Sequence, residues 1–170
     1  VGLCEAEIRK MSFKEKCING SILMITESLI NQIKYDEGVV LEVYKDHLGY
    51  DTCGVGHLLV KGNPEYGSPV GTPISESACD NYLKLDLQVA WDECKILYQP
   101  WFKDFPQEAK EILINMMFNL GRPRLTKFKN FNKAVMRKDW KSAAVEGRDS
   151  LWHRQVTKRA ERLMVRMENI

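Results

Sequence analysis

The sequence lacks any apolar run near the roughly 18 residues that a membrane-spanning helix needs. Its longest run, residues 112–118, is far shorter and includes Asn115. It also contains no Cys-x-x-Cys spacing, no internal repeat and no low-complexity tract. These absences exclude a helical membrane span, a thiolate metal module of that spacing and a repeat architecture. We accordingly expect no metal and no cofactor.

Length and composition favour one folded domain. The chain has 170 residues, of which 44% are hydrophobic and 28% are charged, a balance typical of globular proteins. Its net charge of +2 hides an asymmetry, because residues 1–100 hold 9 Lys/Arg and 15 Asp/Glu whereas residues 101–170 hold 16 and 8. A basic second half can attract nucleic acid, a membrane surface or the bacterial wall, or it can consist of solvated helix faces.

Five cysteines are many for a chain of this size: Cys4, Cys17, Cys53, Cys79 and Cys94. The pattern places Cys79 and Cys94 in one helix, where 15 residues at ~1.5 Å each separate them by roughly 22 Å, beyond disulfide reach. Any bridges would therefore run from the N-terminal segment to the body of the protein. We expect two disulfides and one free thiol, which together with the N-terminal valine favours a secreted protein.

The pattern divides the chain into an N-terminal extension, residues 1–20, and a single domain, residues 21–170. Within the domain, a small lobe of two or three antiparallel strands spans about residues 35–73, and a helical lobe spans about residues 95–170. The connecting segment predicts one long helix. Its apolar stripe would consist of Ala78, Tyr82, Leu85, Val89 and Ile96. This order of elements is typical of an α+β fold.

Capping residues predict where helices begin and end. Thr26 and Gly38 bracket the first helix, which delivers an acidic residue at its C-terminal end. Pro106 and Gly121 bracket a later helix that is apolar on most of its circumference and should form the core of the helical lobe. A last helix is expected to begin after Thr157 as its cap.

Residues 35–57, YDEGVVLEVYKDHLGYDTCGVGH, concentrate carboxylates among glycines, valines and tyrosines. Cleavage of a glycosidic bond needs one protonated carboxyl group, which gives its proton to the leaving oxygen, and one ionised group, which activates water or attacks. Glu37 at a helix end and Asp46 at a hairpin could face each other in this way. A solvated hairpin with acidic tips has the same spacing, so the spacing alone does not decide.

The whole string resembles the phage-type lysozymes, the bacteriophage endolysin family of muramidases in glycoside hydrolase family 24. The ordered matches are DEG at 36–38, VYKD at 43–46 and GYDTCGVGHL at 49–58, followed by NMMFNLG at 115–121, GRDSLW at 147–152 and RAER at 159–162. The likeness covers roughly residues 22–165. It implies an α+β, lysozyme-like fold, in which a long helix joins a small antiparallel β lobe to a larger helical lobe.

The resemblance implies a role for each catalytic position. Glu37 would be the general acid, Asp46 the ionised base or electrostatic partner, and Thr52 the residue whose hydroxyl holds the attacking water. The family inverts the anomeric centre, which requires room for that water between sugar and base. The implied reaction is hydrolysis of the β-1,4 bond between N-acetylmuramic acid and N-acetylglucosamine in bacterial peptidoglycan, a bacteriolytic activity.

Further matches imply substrate contacts at Leu58, Asn119 and Phe128. Asn119 stands where the family tends to carry a longer amide, so its reach towards substrate is reduced.

Three positions would give structural support rather than chemistry. The resemblance places Arg159 beside the general acid, and it pairs His57 with Asp86 on the long helix.

Rival functions fit less well. A Cys53–His57 nucleophile pair has no third orienting residue, so Cys53 is better interpreted as a buried small hydrophobe. A catalytically weak wall-binding module on the same fold is the main alternative, but it would not need an intact Glu37, Asp46 and Thr52. A nucleic-acid binder using basic residues near the C-terminus lacks the recognised signatures of such modules.

The expected partner is therefore bacterial peptidoglycan, with no nucleic acid and no membrane span, and we expect a monomer. Secretion is the favoured localisation, the alternative being a phage endolysin released from the host cytoplasm.

Overall fold

The computed structural model of the protein describes residues 25–170. The predicted extension at residues 1–20, with Cys4 and Cys17, lies outside this part of the chain. The chain divides into two compact units, Val1–Gln88 and Val89–Ile170, called here the first and the second unit. Helices predominate and the sheet is small, which confirms the predicted α+β class.

From residue 25 onwards, the first unit holds one helix, a three-stranded sheet and the start of a long helix. In chain order the elements are α1 (Glu27–Glu37), β1 (Val40–Lys45), β2 (Asp51–Gly54), β3 (His57–Leu58) and α2 (Glu76–Leu97), the last of which ends in the second unit.

Local signals set the ends of α1 as predicted. Thr26 Oγ1 accepts a hydrogen bond from Leu29 N at 3.1 Å, which satisfies one of the free donors of the first turn. Gly38 ends the helix with φ of 78°, a left-handed value that favours glycine, and its N–H donates to Lys34 O. Leu29 and Ile33 form the buried face of the helix.

The sheet has the order β1-β2-β3 and both pairings are antiparallel. Thr52 in the central strand lies opposite Tyr44 on one side and Leu58 on the other. Side chains directly opposite one another in a sheet share a face. The sheet therefore groups Tyr44, Thr52 and Leu58 on one face.

The predicted stripe of α2 is wrong for most of its members. Val89 and Ile96 are 40% and 44% exposed, whereas the buried apolar side chains are Cys79, Tyr82, Leu83, Leu87, Ala90, Trp91 and Cys94. This set repeats at the three- and four-residue spacing of one helix face. The predicted stripe has helical spacing but is rotated about the helix axis, because it takes Leu85 and Val89 in place of Leu83 and Leu87.

The second unit is helical. After the end of α2 come a 3₁₀ turn (Trp101–Asp104), α3 (Gln107–Leu120), α4 (Arg122–Leu125), α5 (Lys129–Met136), α6 (Trp140–Arg148), α7 (Leu151–Gln155) and α8 (Thr157–Glu168).

The core of the second unit is centred on α3, as predicted. Pro106 precedes this helix and Gly121 ends it with φ of 70°. Every residue from 109 to 117 is buried. The expectation for Thr157 is wrong, because Thr157 is the first residue of α8 and Val156 is the N-cap, with no side-chain cap.

Three of the five cysteines lie in the described residues. Cys53, Cys79 and Cys94 are all buried and free. The predicted bridges from the N-terminal segment to the body are therefore not supported. Cys53 is 0% exposed, which agrees with its interpretation as a small hydrophobe.

Between residues 25 and 170, no helix combines the length and the apolar character that crossing a membrane requires.

Candidate active site

Glu37 is the last residue of α1 and its side chain is exposed. The helix end is held against α2 by an ion pair between Lys34 Nζ and Asp80 Oδ1 at 2.6 Å. This hydrogen bond to Asp80 also raises the pKa of Lys34, which keeps the lysine charged. The pair fixes the last turn of α1 and thereby the position of Glu37.

Asp46 lies in the turn between β1 and β2, where the backbone surrounds its carboxylate. Asp46 Oδ1 accepts hydrogen bonds from Leu48 N at 2.8 Å and from Tyr50 N at 2.9 Å. The bond from Tyr50, followed by those from Leu48 and Gly49 and the nearby His47, lowers the pKa of Asp46. Hydrogen bonds of this kind favour the charged form, so Asp46 is an anion near neutral pH.

Thr52 is buried in β2, and its hydroxyl has a defined orientation. Thr52 Oγ1 donates to Tyr50 O at 3.1 Å. A hydroxyl has one proton and two lone pairs. With its proton engaged, the Thr52 oxygen can act only as an acceptor towards a water molecule.

Tyr44 is a member of the site that the role assignment from sequence missed. Burial is the largest cause that raises the pKa of Tyr44, followed by the negative charge associated with Cys53, Asp46 and Glu37. Asp46 and Glu37 are thus among the charged groups that contribute to raising the pKa of Tyr44. Tyr44 belongs to the string VYKD, which the sequence analysis singled out. Its place beside Thr52 follows only from the pairing of β1 with β2.

His57 and Asp86 form the contact that the resemblance implied. His57 Nδ1 lies 2.9 Å from Asp86 Oδ2 and 3.1 Å from Oδ1. The imidazole also stacks on Tyr82, with ring centroids 4.2 Å apart and an angle of 6° between the planes. Tyr82 donates its hydroxyl hydrogen to Glu65. These contacts tie the sheet and the following loop to α2.

Leu58 is exposed and lines a groove of about 430 Å³ in the first unit. We call this the hairpin groove, defined by Lys45, Gly49, Tyr50, Asp51, Leu58, Leu59, Val60, Lys61 and Tyr66. Its residues come from the end of β1, the turn that leads into β2, the end of β3 and the segment after β3.

Asn119 and Phe128 come together around Trp152 in the second unit. Asn119 Oδ1 accepts a hydrogen bond from Trp152 Nε1 at 2.9 Å. Phe128 meets Trp152 edge-on, with centroids 6.4 Å apart, and meets Phe131 in the same manner at 6.3 Å. Phe128 and Trp152 line a second groove of about 570 Å³, together with Arg124, Lys127, Lys129 and other residues.

Arg159 lies in the interior of the second unit and is 7% exposed. Its Nε donates to Asn115 Oδ1 at 2.8 Å, and a terminal nitrogen donates to Asn115 O at 3.2 Å. Asn115, a buried polar residue of α3, thus accepts hydrogen bonds from a buried guanidinium, which compensates for the burial of both groups.

His153 had no predicted role, and the structure supplies one. His153 Nε2 lies 2.9 Å from Glu161 Oε2, and Arg148 Nε donates to both oxygens of the same carboxylate at 3.1 and 3.2 Å. The hydrogen bond with His153, followed by that from Arg148, lowers the pKa of Glu161. The cluster joins α6, α7 and α8.

Among residues 25–170 there is no group of three or more His, Cys, Asp or Glu side chains that could hold a metal ion. Burial raises the pKa of the Cys53 thiol to about 11, so the thiol is neutral near pH 7. A neutral buried thiol is a poor nucleophile.

Comparison with known proteins identifies relatives of this chain. The family described as Phage lysozyme matches residues 34–169. "Probable T4-type lysozyme 2" of Dictyostelium discoideum is 32% identical over 158 residues, covering 82% of this chain and 93% of that protein. "Probable T4-type lysozyme 1" of the same organism is 30% identical with the same coverage. The "Pre-baseplate central spike protein Gp5" of Enterobacteria phage T4 is 28% identical over 153 residues, 80% of this chain but 27% of that protein. The chain belongs to the phage lysozyme family.

Proposed function

We propose that the protein is a muramidase, which hydrolyses the β-1,4 bond between N-acetylmuramic acid and N-acetylglucosamine in bacterial peptidoglycan. Glu37 is the general acid, Asp46 the general base and Thr52 the residue that holds the water. The observation that carries this proposal is the Asp46 carboxylate, which Leu48 N and Tyr50 N hold in the same hairpin that orients the Thr52 hydroxyl. Family membership supports the same chemistry.

The two carboxyl groups exchange protons with the substrate and the attacking water. The Glu37 carboxyl group gives its proton to the glycosidic oxygen as the bond from the anomeric carbon to that oxygen breaks. Water attacks the anomeric carbon from the opposite face, and Asp46 takes the proton that this water loses. Attack from the opposite face inverts the anomeric configuration. Proton exchange with solvent then restores both carboxyl groups.

The environment of Asp46 suits a base. Backbone N–H groups hold Asp46 Oδ1 and favour the ionised carboxylate. Thr52, whose proton is bound to Tyr50 O, is left to accept a hydrogen bond from the attacking water. The water would thus donate to Thr52 while its other proton is directed to the base.

Charge in the second unit supports association with the wall. Between Glu111 and Glu146 the sequence holds eight Lys/Arg and one acidic residue, Asp139. Asp139 is engaged as the N-cap of α6, where it accepts from Ser142 N at 3.1 Å. Most of the positive charge is therefore available to the acidic stem peptides and phosphate polymers of the envelope.

Clearing of a suspension of purified bacterial walls tests the proposal. Wild-type protein is expected to clear the suspension, and Glu37→Gln, which has the same shape but no transferable carboxyl proton, is expected to fail. Sedimentation of both proteins with the walls and clearing by neither would instead identify a wall-binding module without catalysis. Clearing by Glu37→Gln at the wild-type rate would refute the assigned acid.

A further inference from the structure

The groove that Phe128 and Trp152 line in the second unit also collects positive charge, and we call it the basic groove. Its volume of about 570 Å³ is within the range of ligand pockets, roughly 300–1,000 Å³. Its cations are Arg124, Lys127 and Lys129, all of them exposed and all within six residues of the chain. The proposed catalytic residues do not explain this concentration of charge.

The three cations of the basic groove have no carboxylate partner in the described part of the chain. Arg124, Lys127 and Lys129 form no ion pair with any residue there. The groove has one acidic side chain, Glu146, which is half-buried and likewise forms no ion pair within the described residues. Three cations against one carboxylate leave a concave surface of positive potential, which attracts an anionic ligand.

Hydrogen bonds fix the backbone that carries these cations. Lys129 N donates to Lys127 O at 2.9 Å. From the interior, the fully buried Tyr98 donates its hydroxyl hydrogen to Asn132 Oδ1 at 2.8 Å, and Asn132 Nδ2 donates to Leu125 O at 2.8 Å. A segment held from the core in this way loses little freedom when a ligand binds, which favours affinity.

The spacing of the cations favours a ligand whose negative charge repeats. A chain of polyol units joined by phosphodiesters carries one charge in every repeat, whereas a stem peptide carries a few carboxylates set apart by uncharged groups. The Arg124 guanidinium can bind two phosphate oxygens through parallel hydrogen bonds, and each lysine acts as a compact point charge. The cation set therefore matches a phosphodiester polymer better than a peptide.

The aromatic residues of the groove argue against nucleic acid, which is also a phosphodiester polymer. Proteins that bind single strands stack the bases on accessible aromatic faces. Phe131 and Trp152 are only 1% and 3% exposed, and Phe128 meets both rings edge-on. A polymer without bases is therefore the better occupant.

We propose that the basic groove binds a phosphodiester-linked polyol polymer of the bacterial envelope and thereby holds the protein on the wall. The phosphates pair with Arg124, Lys127 and Lys129, and the carbon chain of the polymer packs on Leu151, which lines the groove and is 62% exposed. The polymer is bound and not cleaved. This inference rests on the proposed function, since a muramidase acts at the wall, and it names a partner for the positive second unit.

Binding can be measured without hydrolysis in the full chain carrying Glu37→Gln. The probe is a hexamer of glycerol phosphate, titrated by calorimetry at several salt concentrations. Adding Arg124→Gln, Lys127→Gln and Lys129→Gln is expected to weaken binding about tenfold or more at about 0.15 M salt. The slope of log K against log salt should also become less steep by about 2, because each phosphate contact on a flexible chain contributes about 0.7.

Two further variants separate the groove from net charge. Lys103→Gln, Arg154→Gln and Lys158→Gln together remove the same charge from exposed positions outside the groove, and this matched control should bind like the parent. Glu146→Gln removes the one repulsive carboxylate and should strengthen binding about two- to fivefold. An equal loss in the control and in the groove variant would mean that net charge alone attracts the probe, and it would overturn the proposal.

Competing ligands decide between classes of partner. A hexanucleotide of deoxythymidine that binds in the groove more tightly than the glycerol phosphate hexamer would assign the groove to nucleic acid and overturn the proposal. Displacement of the hexamer by a free stem peptide would assign the groove to peptide and overturn it as well. All these results are independent of hydrolysis, whereas wall clearing by Glu37→Gln at the wild-type rate refutes the catalytic proposal alone.

Discussion

Asp46 and Tyr50 are joined in the first hairpin by two hydrogen bonds, one to the Asp46 side chain and one between backbone groups. Tyr50 N donates to the Asp46 carboxylate at 2.9 Å, and Asp46 N donates to Tyr50 O at 3.0 Å. The two bonds close the turn and hold the carboxylate in its ionised form. The local geometry of the hairpin therefore determines both where the proposed base lies and which charge it carries.

Asp46→Asn should remove catalysis and preserve the fold. The asparagine oxygen can still accept from Leu48 N and Tyr50 N, but the amide cannot take a proton from water. We expect the rate of wall clearing to fall by about 10²–10⁴-fold. Glu42→Gln, an exposed carboxylate lost from β1, is the control and should clear walls normally. Parental activity in Asp46→Asn would rule out the proposed base.

The Glu161 cluster predicts a pH-dependent contribution to stability. Folding lowers the pKa of Glu161 through His153 and Arg148. The ionised carboxylate therefore stabilises the fold at pH values above the ordinary pKa of a glutamate. This contribution is lost as pH falls through the lowered value. Glu161→Gln should therefore have a lower Tm than wild type at pH 7, with the difference closing below about pH 4. A difference of the same size at both pH values would contradict the assignment.

Gly147 is required for the packing of α6 on α8. A Cβ atom at this position would lie 2.1 Å from Met164 Sδ, and Met164 is fully buried. Gly147→Ala should reduce the free energy of unfolding by about 1–3 kcal/mol, measured by urea denaturation. Val145→Ala on the exposed side of α6 should change it by less than about 0.5 kcal/mol. An unchanged or higher urea concentration at the unfolding midpoint of Gly147→Ala would show that Met164 moves away without loss of stability.

Wall association should depend on where the positive charge lies. Lys133→Gln, Arg137→Gln and Lys141→Gln remove three exposed cations of the basic stretch, and the combined variant should sediment less with walls at about 0.15 M salt. The control combines Lys103→Gln, Arg154→Gln and Lys158→Gln, exposed cations elsewhere in the second unit. Both proteins carry Glu37→Gln to prevent lysis. Equal losses in the two variants would mean that only net charge matters.

Features set by a few neighbouring residues could be predicted from the sequence. Thr26, Gly38 and Gly121 act on the backbone within one helical turn, so the ends of α1 and α3 follow from residue type alone. The three short strands followed in the same way from glycines and β-branched residues. The residues of the string from 35 to 58 also indicate the family by themselves.

Features that depend on distant residues could not be predicted. The buried face of α2 was missed because apolar residues lie on several sides of this helix, and packing partners decide which of them are buried. The contact between His153 and Glu161 requires α7 and α8 to be in place. Likewise, Tyr66 becomes part of a groove only when the turns after β3 bring it beside Tyr50.

The configuration of the first product tests the central claim most directly. Wall glycan can be digested in an NMR tube and the newly formed reducing ends followed before they equilibrate. Glu37 as acid and Asp46 as base predict N-acetylmuramic acid ends that appear first as the α anomer, because water attacks opposite the leaving oxygen. Ends that appear first as the β anomer, or that belong to N-acetylglucosamine, would contradict the account.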